Sequence, residues 1–177
     1  MIGVTGSIAA YKALDVIRAL KKKGFSVPCI MTEEAAHFVT PLSLRTLSGE
    51  KVYCDMFDDP VEWDVAHVSL ADRADLIVIV PATAHIIAQL AQGLCGNLLT
   101  CTVLASKATK IIVPAMDETM YLTPQTQDNI ARLKKLGYHC VGPQKGTLAS
   151  GKKGIGHIED TERIIEEVVR FFEEKNA

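Results

Sequence analysis

The sequence has no surplus of basic residues. It carries 19 Lys and Arg against 21 Asp and Glu, for a formal net charge of -2. Proteins that bind nucleic acids or anionic membranes usually carry a basic surplus. Neither is therefore predicted as a partner, and a small molecule is the expected ligand.

The sequence also lacks a disulfide framework and a long hydrophobic run. Its five cysteines are odd in number, scattered, and free of metal-ligand spacing, which indicates reduced thiols in a cytoplasmic protein. No apolar stretch approaches the roughly 20 residues of a membrane span, and the start "MIGVTGSIAAYK" has no signal-peptide pattern. A cytoplasmic protein is expected, with residues 1–177 forming a single domain that has a sizeable core.

Short β-branched runs alternate with longer segments of helical periodicity, which is typical of βαβ units and a parallel sheet. The fold class predicted is α/β. Strands are predicted at residues 2–5, 25–31, 76–80, 110–113 and 138–141. Helices are predicted near residues 9–22, 33–40, 84–91, 97–105, 125–136 and 161–175. Residues 42–65 stay open between a short helix, a strand near Val52 and an acidic loop.

The dinucleotide fingerprint G-x-G-x-x-G is absent after the first strand, which disfavours a NAD site. The first strand runs instead into "TGSIAA", where Gly6 and Ser7 precede a helix and could let its amides approach an anion. Thr32 comes directly after the second strand in the same way. A hydroxyl in such a position is more often a plain helix cap than a phosphate ligand, so each of the two alone is weak evidence for an anion site.

Two buried strands end in the same way, in "IVIVPATA" and "KIIVPAMD". We expect proline to stop each strand and leave short loops against which a flat ring could lie. Apolar contact with backbone hydrogen bonds suits a flavin as well as a nucleotide. Residues 142–160 contain five glycines and are predicted to form a flexible loop or flap.

Several stretches together resemble the flavoprotein family of cysteine decarboxylases. They are "GVTGSIAAYKAL", "MTEEAAHFVTPLSLRTLSG", "AHVSLADRADLIVIVPATA", "NLLT" and "VPAM", and they cover nearly the whole chain. The resemblance implies a flavodoxin-like, Rossmann-type three-layer sandwich that binds FMN. It also implies a homo-oligomer, a trimer or trimer-based dodecamer, with the flavin at a subunit interface.

The resemblance further implies a decarboxylase acting on 4'-phosphopantothenoylcysteine or a related cysteine-derived substrate, as in coenzyme A biosynthesis. His67 would help to abstract a proton while FMN oxidises the substrate thiol to a thioaldehyde, which makes loss of carbon dioxide easy. By position, cofactor contacts fall on Gly6, Ser7, Ile8, Thr32, Ala82, Thr83, Ala84, His85 and Ala115, and substrate contacts on Asp117 and Met120.

The chain departs from the family pattern at chemically important positions. Asp117 stands where the family has an asparagine that donates to the substrate carboxylate, so an ionised Asp117 would repel that group. Ser150 stands where the family has a proton-donating cysteine, and a hydroxyl is a far weaker acid, so the reductive step is expected to suffer. His157 replaces an arginine, His85 an asparagine, Gln89 a common lysine and Gly96 an aspartate.

Because these departures fall at positions that the family uses for its chemistry, two other functions stay open. One is a flavin-binding protein that has lost the reaction and serves as a subunit, regulator or redox protein. The other is a nucleotide-binding module without flavin.

Overall fold

The computed structural model describes residues 1–57 and 65–176. Its strands are β1 (Ile2–Val4), β2 (Cys29–Met31), β3 (Val52–Tyr53), β4 (Leu76–Ala82), β5 (Thr109–Pro114), β6 (Tyr138–Cys140), β7 (Gln144–Thr147) and β8 (Lys153–His157). Its helices are α1 (Tyr11–Lys22), α2 (Pro41–Ser48), α3 (Ala66–Arg73), α4 (Ala84–Gln92), α5 (Leu98–Ala105), α6 (Glu118–Leu122), α7 (Pro124–Lys135) and α8 (Thr161–Asn176). Short 3-10 turns precede α1 and α2, at Ile8–Ala10 and Glu33–His37.

Six parallel strands form the main sheet in the order β3-β2-β1-β4-β5-β6, and β7 and β8 form a separate antiparallel hairpin. Without the two-residue edge strand β3, the order is the flavodoxin-like 2-1-3-4-5. The α/β fold class is therefore confirmed. Strand order reverses between β1 and β4, which makes the carboxyl edge at that point the expected place for a ligand.

The sheet is buried on both faces, which explains why its strands read as continuous apolar runs. Along β4, Val78 and Val80 join the core under α1 and α8, while Ile77 and Ile79 join the core under α4, α5 and α7. This alternation follows from the two-residue period of a strand. Helices on both faces complete three layers.

The predicted strand at residues 25–31 is wrong over its first half, because β2 begins only at Cys29. The amide of Val27 donates to the Glu50 carboxylate (2.8 Å) instead of a neighbouring strand, and Pro28 has no amide to donate. The expectation that proline stops the two strands at valine is also wrong. β4 continues through Pro81 to Ala82, with an irregular register, and β5 includes Pro114.

The predicted helix at residues 33–40 is only a 3-10 turn, since Thr40 is extended (φ -96°, ψ 151°) ahead of Pro41. The glycine-rich segment, predicted as a flexible loop, contains the β7–β8 hairpin. The acidic loop predicted before Val65 falls largely on residues 58–64, outside the described residues. Within the described ranges, no helix is both long and apolar enough to cross a bilayer.

Candidate active site

The Thr5 hydroxyl joins the two loops at the point where strand order reverses. It donates to the Pro81 carbonyl (2.7 Å) and accepts from the Thr83 amide (3.3 Å). Thr5 is buried, so these bonds fix the exit of β1 against the exit of β4. Sequence reasoning missed this residue and placed it inside the first strand, which in the structure ends at Val4.

A first cavity of about 500 Å³ opens at this edge of the sheet. It is lined by the ends of β1, β2, β4 and β5 and by the helix starts that follow them. The lining residues are Thr5, Gly6, Ser7, Thr32, Glu34, Thr83, Ala84, His85, Ile86, Asn97, Ala115, Met116 and Met120.

One end of this first cavity has the chemistry of an anion cradle. The Thr32 hydroxyl is buried and has no hydrogen-bond partner among the described residues. Ser7 caps the turn before α1, since its hydroxyl accepts from the Ala9 amide (3.2 Å). Gly6 is required there, because a Cβ would lie 2.5 Å from Cβ of Glu34. A phosphate group could accept hydrogen bonds from a free hydroxyl and from the backbone amides of a turn built of small residues.

Glu34 is an acidic side chain at the same end. The pKa of its carboxyl is lowered, and the largest cause is its own backbone N–H. The nearby Thr32 hydroxyl, His85 and His37 lower this pKa further. The Thr32 hydroxyl nevertheless has no hydrogen-bond partner with good geometry among the described residues. Among the described residues that line the first cavity, none is a lysine or arginine. A bound phosphate would therefore depend on hydroxyls, amides and helix ends for its stabilisation.

Two helix-capping residues also line the first cavity. Thr83 caps α4 by accepting from the Ile86 amide (3.2 Å), and Asn97 caps α5 by accepting from the Thr100 amide (2.9 Å). Both helices therefore begin at the cavity with their positive dipole ends toward it. Asn97 was missed as a lining residue, and its only signal was its place before the apolar run "LLT".

A second cavity of about 450 Å³ lies under the β7–β8 hairpin and shares Ser7, Ala115 and Met116 with the first. Its other lining residues come from the start of α1, the start of α6 and the hairpin. They are Ile8, Ala9, Tyr11, Asp117, Thr147, Leu148, Ala149, Ser150, Gly156, His157 and Ile158. The shared wall places two ligand-sized spaces side by side.

Backbone contacts hold the hairpin over this second cavity. The Met116 amide donates to the Gly156 carbonyl (3.0 Å), and the Ile155 amide donates to Glu118 Oε1 (3.0 Å). Gly156 has φ +129°, and a Cβ there would lie 2.2 Å from the Met116 carbonyl oxygen. Only glycine allows so close an approach.

Asp117 and Ser150, far apart in sequence, line the same second cavity, and both are exposed. Asp117 caps α6 by accepting from the Thr119 amide (2.8 Å), a role in which an ionised carboxylate is the better acceptor. Ile8 lies with them rather than with Gly6, and Met120 lies in the first cavity rather than with Asp117. Ala82 lines neither cavity, but its carbonyl accepts from the Ala115 amide (3.1 Å) behind the wall.

His67 is not brought together with the other predicted residues. It lies inside the first turn of α3 and lines neither cavity. Its Nδ1 is buried and has no partner among the described residues. Because α3 runs back from the carboxyl edge to the start of β4, this turn faces the same edge of the sheet as the cavities.

Comparison with known proteins places these features in a family context. The family model described as "Flavoprotein" matches residues 1–173. The chain is 39% identical over 175 residues to the coenzyme A biosynthesis bifunctional protein CoaBC of Vibrio vulnificus (strain YJ016), covering 99% of this chain and 44% of that protein. It thus spans about half the length of such curated relatives. A probable phosphopantothenoylcysteine decarboxylase of Streptococcus mutans is 40% identical over 170 residues, covering 95% of both chains.

Solved structures share the fold at comparable identity. A cysteine-to-serine mutant of PPC decarboxylase, complexed with pantothenoylaminoethenethiol, superposes with a TM-score of 0.86 at 30% identity and covers 97% of this chain and 96% of that one. The FMN-dependent cysteine decarboxylase SpaF gives 0.81 at 30% identity, covering 93% and 90%. Because the family model covers residues 1–173 and relatives about 40% identical cover nearly the whole chain, the chain belongs to the flavoprotein family.

Proposed function

We propose that this chain binds FMN and decarboxylates 4'-phosphopantothenoylcysteine or a related cysteine-derived acid, in coenzyme A biosynthesis in the cytoplasm. The observation that carries the proposal is the pair of adjoining cavities, one with an unpartnered hydroxyl and one beneath a hairpin. A cofactor and a substrate could thereby meet across a shared wall. The descriptions of the relatives as phosphopantothenoylcysteine and FMN-dependent cysteine decarboxylases support it.

The first cavity fits FMN by its chemistry. Thr32 and Ser7 would hold the phosphate with the turn amides, because the Thr32 hydroxyl is otherwise buried with no partner in the described part of the chain. Residues 83–85 and Ala115 would lie against the ring. Bound flavin would supply the oxidation of the substrate thiol, after which the carboxylate can leave as carbon dioxide and the oxidised group accepts the electron pair.

In the second cavity, the hairpin would exclude water and hold the substrate against the ring. Loss of carbon dioxide needs an electron-accepting carbon β to the carboxylate, and the oxidised thiol provides it. The chain's task is therefore to bind the acid and to control protons around the sulfur-bearing carbons. His67 would assist thiol oxidation from a neighbouring copy in a threefold homo-oligomer, since it lines neither cavity of its own chain.

A second function is favoured by Asp117. An ionised carboxylate that caps α6 and lines the substrate cavity repels an acidic substrate. The alternative is a flavin-binding member of the family that has lost decarboxylation and acts as a subunit, regulator or redox protein.

Anaerobic titration of the yellow protein with 4'-phosphopantothenoylcysteine separates the two functions. Decarboxylation predicts bleaching of the flavin absorbance and release of carbon dioxide. Asp117→Asn should raise the rate at least tenfold, because two like charges about 4 Å apart near a protein surface repel by up to about 4 kcal/mol. Asp128→Asn, in α7 and lining neither cavity, is the matched control.

The double variant Asp117→Asn with Ser150→Cys restores the family residues at both positions. If it keeps FMN but still releases no carbon dioxide, decarboxylation is excluded and the alternative function stands. Absence of flavin even after reconstitution with excess FMN would contradict both.

A further inference from the structure

His157, at the end of β8, is a titratable side chain that the proposed function leaves unused. It is half-buried and lines the second cavity together with Asp117 and Ser150. Its Nδ1 lies 2.8 Å from the Ile158 carbonyl oxygen. A carbonyl only accepts, so Nδ1 carries a hydrogen, and Nε2 is the nitrogen that gains and loses the second proton.

The imidazole ring is held in place by the hairpin itself. Gly146 on β7 lies against it, since a Cβ there would be 2.7 Å from Cγ and 3.0 Å from Cδ2 of His157. The preceding residue, Gly156, is fixed to the loop after β5 by the Met116 amide (3.0 Å). Two glycines and two hydrogen bonds therefore set the position of this ring at the cavity wall.

The other ionisable groups near His157 are less suited to deliver a proton. Asp117 and Tyr11 line the same cavity, from the loop before α6 and from α1, and Glu118 contacts the hairpin at Gly154. Asp117 accepts from the Thr119 amide and Glu118 accepts from the Ile155 amide, so both carboxylates are already used as hydrogen-bond acceptors. A serine hydroxyl such as that of Ser150 is a very weak acid, whereas an imidazole exchanges protons near neutral pH.

We propose that His157 is the acid that protonates the decarboxylated ene-thiol in the second cavity, a role that Ser150 cannot fill. This rests on the proposed function. The Nε2 proton would form a C–H bond at the carbon that lost carbon dioxide, and reduced flavin, when bound in the first cavity, would supply the hydride for the sulfur-bearing carbon. The carbon–carbon double bond becomes single, the imidazolium becomes imidazole, and the flavin is left oxidised, so atoms and electrons balance.

Product analysis by mass spectrometry tests this with the FMN-loaded protein under anaerobic conditions. The measured quantity is the ratio of saturated thiol to ene-thiol among the decarboxylated products of 4'-phosphopantothenoylcysteine. His157→Gln should lower this ratio at least tenfold, because glutamine can hydrogen-bond but cannot give up a proton. In the wild type the ratio should fall as pH rises, since only the imidazolium donates. His139→Gln, exposed on β6, is the matched control and should keep the wild-type ratio.

A second readout does not depend on turnover. In a ¹⁵N spectrum of the histidine side chains, the signal lost in His157→Gln should show the proton on Nδ1 when the ring is neutral. A proton on Nε2 would overturn the proposal.

The outcomes distinguish a failure of the role proposed for His157 from a failure of the proposed decarboxylation. Saturated thiol at the wild-type ratio from flavin-bound His157→Gln, or ene-thiol alone from the wild type, overturns the role of His157 and leaves decarboxylation intact. No carbon dioxide from flavin-bound wild-type protein or from the double variant at positions 117 and 150 overturns the proposed function and this role with it.

Discussion

The Thr32 hydroxyl is a buried polar group that makes no hydrogen bond within the described part of the fold. The backbone of Thr32 is fully used, since its amide donates to Val4 and its carbonyl accepts from Ala35, both at 3.0 Å. Its side chain caps nothing and is buried without a partner among the described residues. A buried hydroxyl in that state costs stability unless something else binds it.

Thr32→Val should therefore weaken the binding of FMN without lowering the stability of the folded chain. We expect affinity for FMN to fall roughly tenfold to a hundredfold, the equivalent of a hydrogen bond to a charged group, while the melting temperature of the flavin-free protein stays equal or rises. Flavin fluorescence titration and thermal unfolding measure the two effects. Thr102→Val removes a buried, unpartnered hydroxyl in α5, lining neither cavity, and should leave FMN affinity unchanged. Equal affinity in wild type and Thr32→Val would show that Thr32 does not bind the cofactor.

At the scale of elements, β2 carries a thiol that the sheet keeps protonated. Burial raises the pKa of Cys29 to about 12 from an ordinary value of 9.0, and its Sγ donates to the Val27 carbonyl (3.3 Å). The folded chain therefore holds this proton at a pH where the unfolded chain has lost it. The resulting stability is fully present below pH 9 and is lost as pH rises toward 12.

The free energy of unfolding should consequently fall with rising pH in that window, with Cys29 contributing up to about 1.4 kcal/mol per pH unit. Cys29→Ala should flatten this slope, whatever its effect on stability at pH 7. Urea unfolding at several pH values gives the slopes, and Cys95→Ala, an exposed cysteine, is the control. If Cys29→Ala leaves the slope unchanged, other groups cause the loss of stability at alkaline pH.

The largest difference between predicted and observed elements is at residues 142–160. Five glycines predict freedom, yet the structure uses them for close approach, as at Gly146 under His157 and Gly156 against Met116. Composition cannot distinguish a mobile loop from a hairpin whose backbone touches another element. The contact with the loop after β5 is what makes this segment a docked hairpin.

At the scale of the whole molecule, the position of His67 requires a second chain if this histidine acts on substrate. It lines neither cavity of its own chain, although its turn faces the carboxyl edge of the sheet. We expect sedimentation at micromolar concentration to show a species of three times the 19.2 kDa chain mass, or a multiple of it. His67→Asn should keep FMN and that mass but lose flavin bleaching by substrate. A protein that sediments only as a monomer, or a variant that bleaches at the wild-type rate, would contradict this arrangement.

The sequence by itself determined the α/β class, most strand and helix positions and the family. These follow from local apolar periodicity and from short motifs such as "TGSIAA" and "VPAM", which need no distant partner to be recognised. Tertiary structure decided which residues meet. It tied Thr5 to Pro81 across 76 positions, seated Asn97 in the first cavity, and brought Asp117, Ser150 and His157 around the second. These neighbours depend on strand order and on how the hairpin docks, and a linear pattern of residues does not encode such distances.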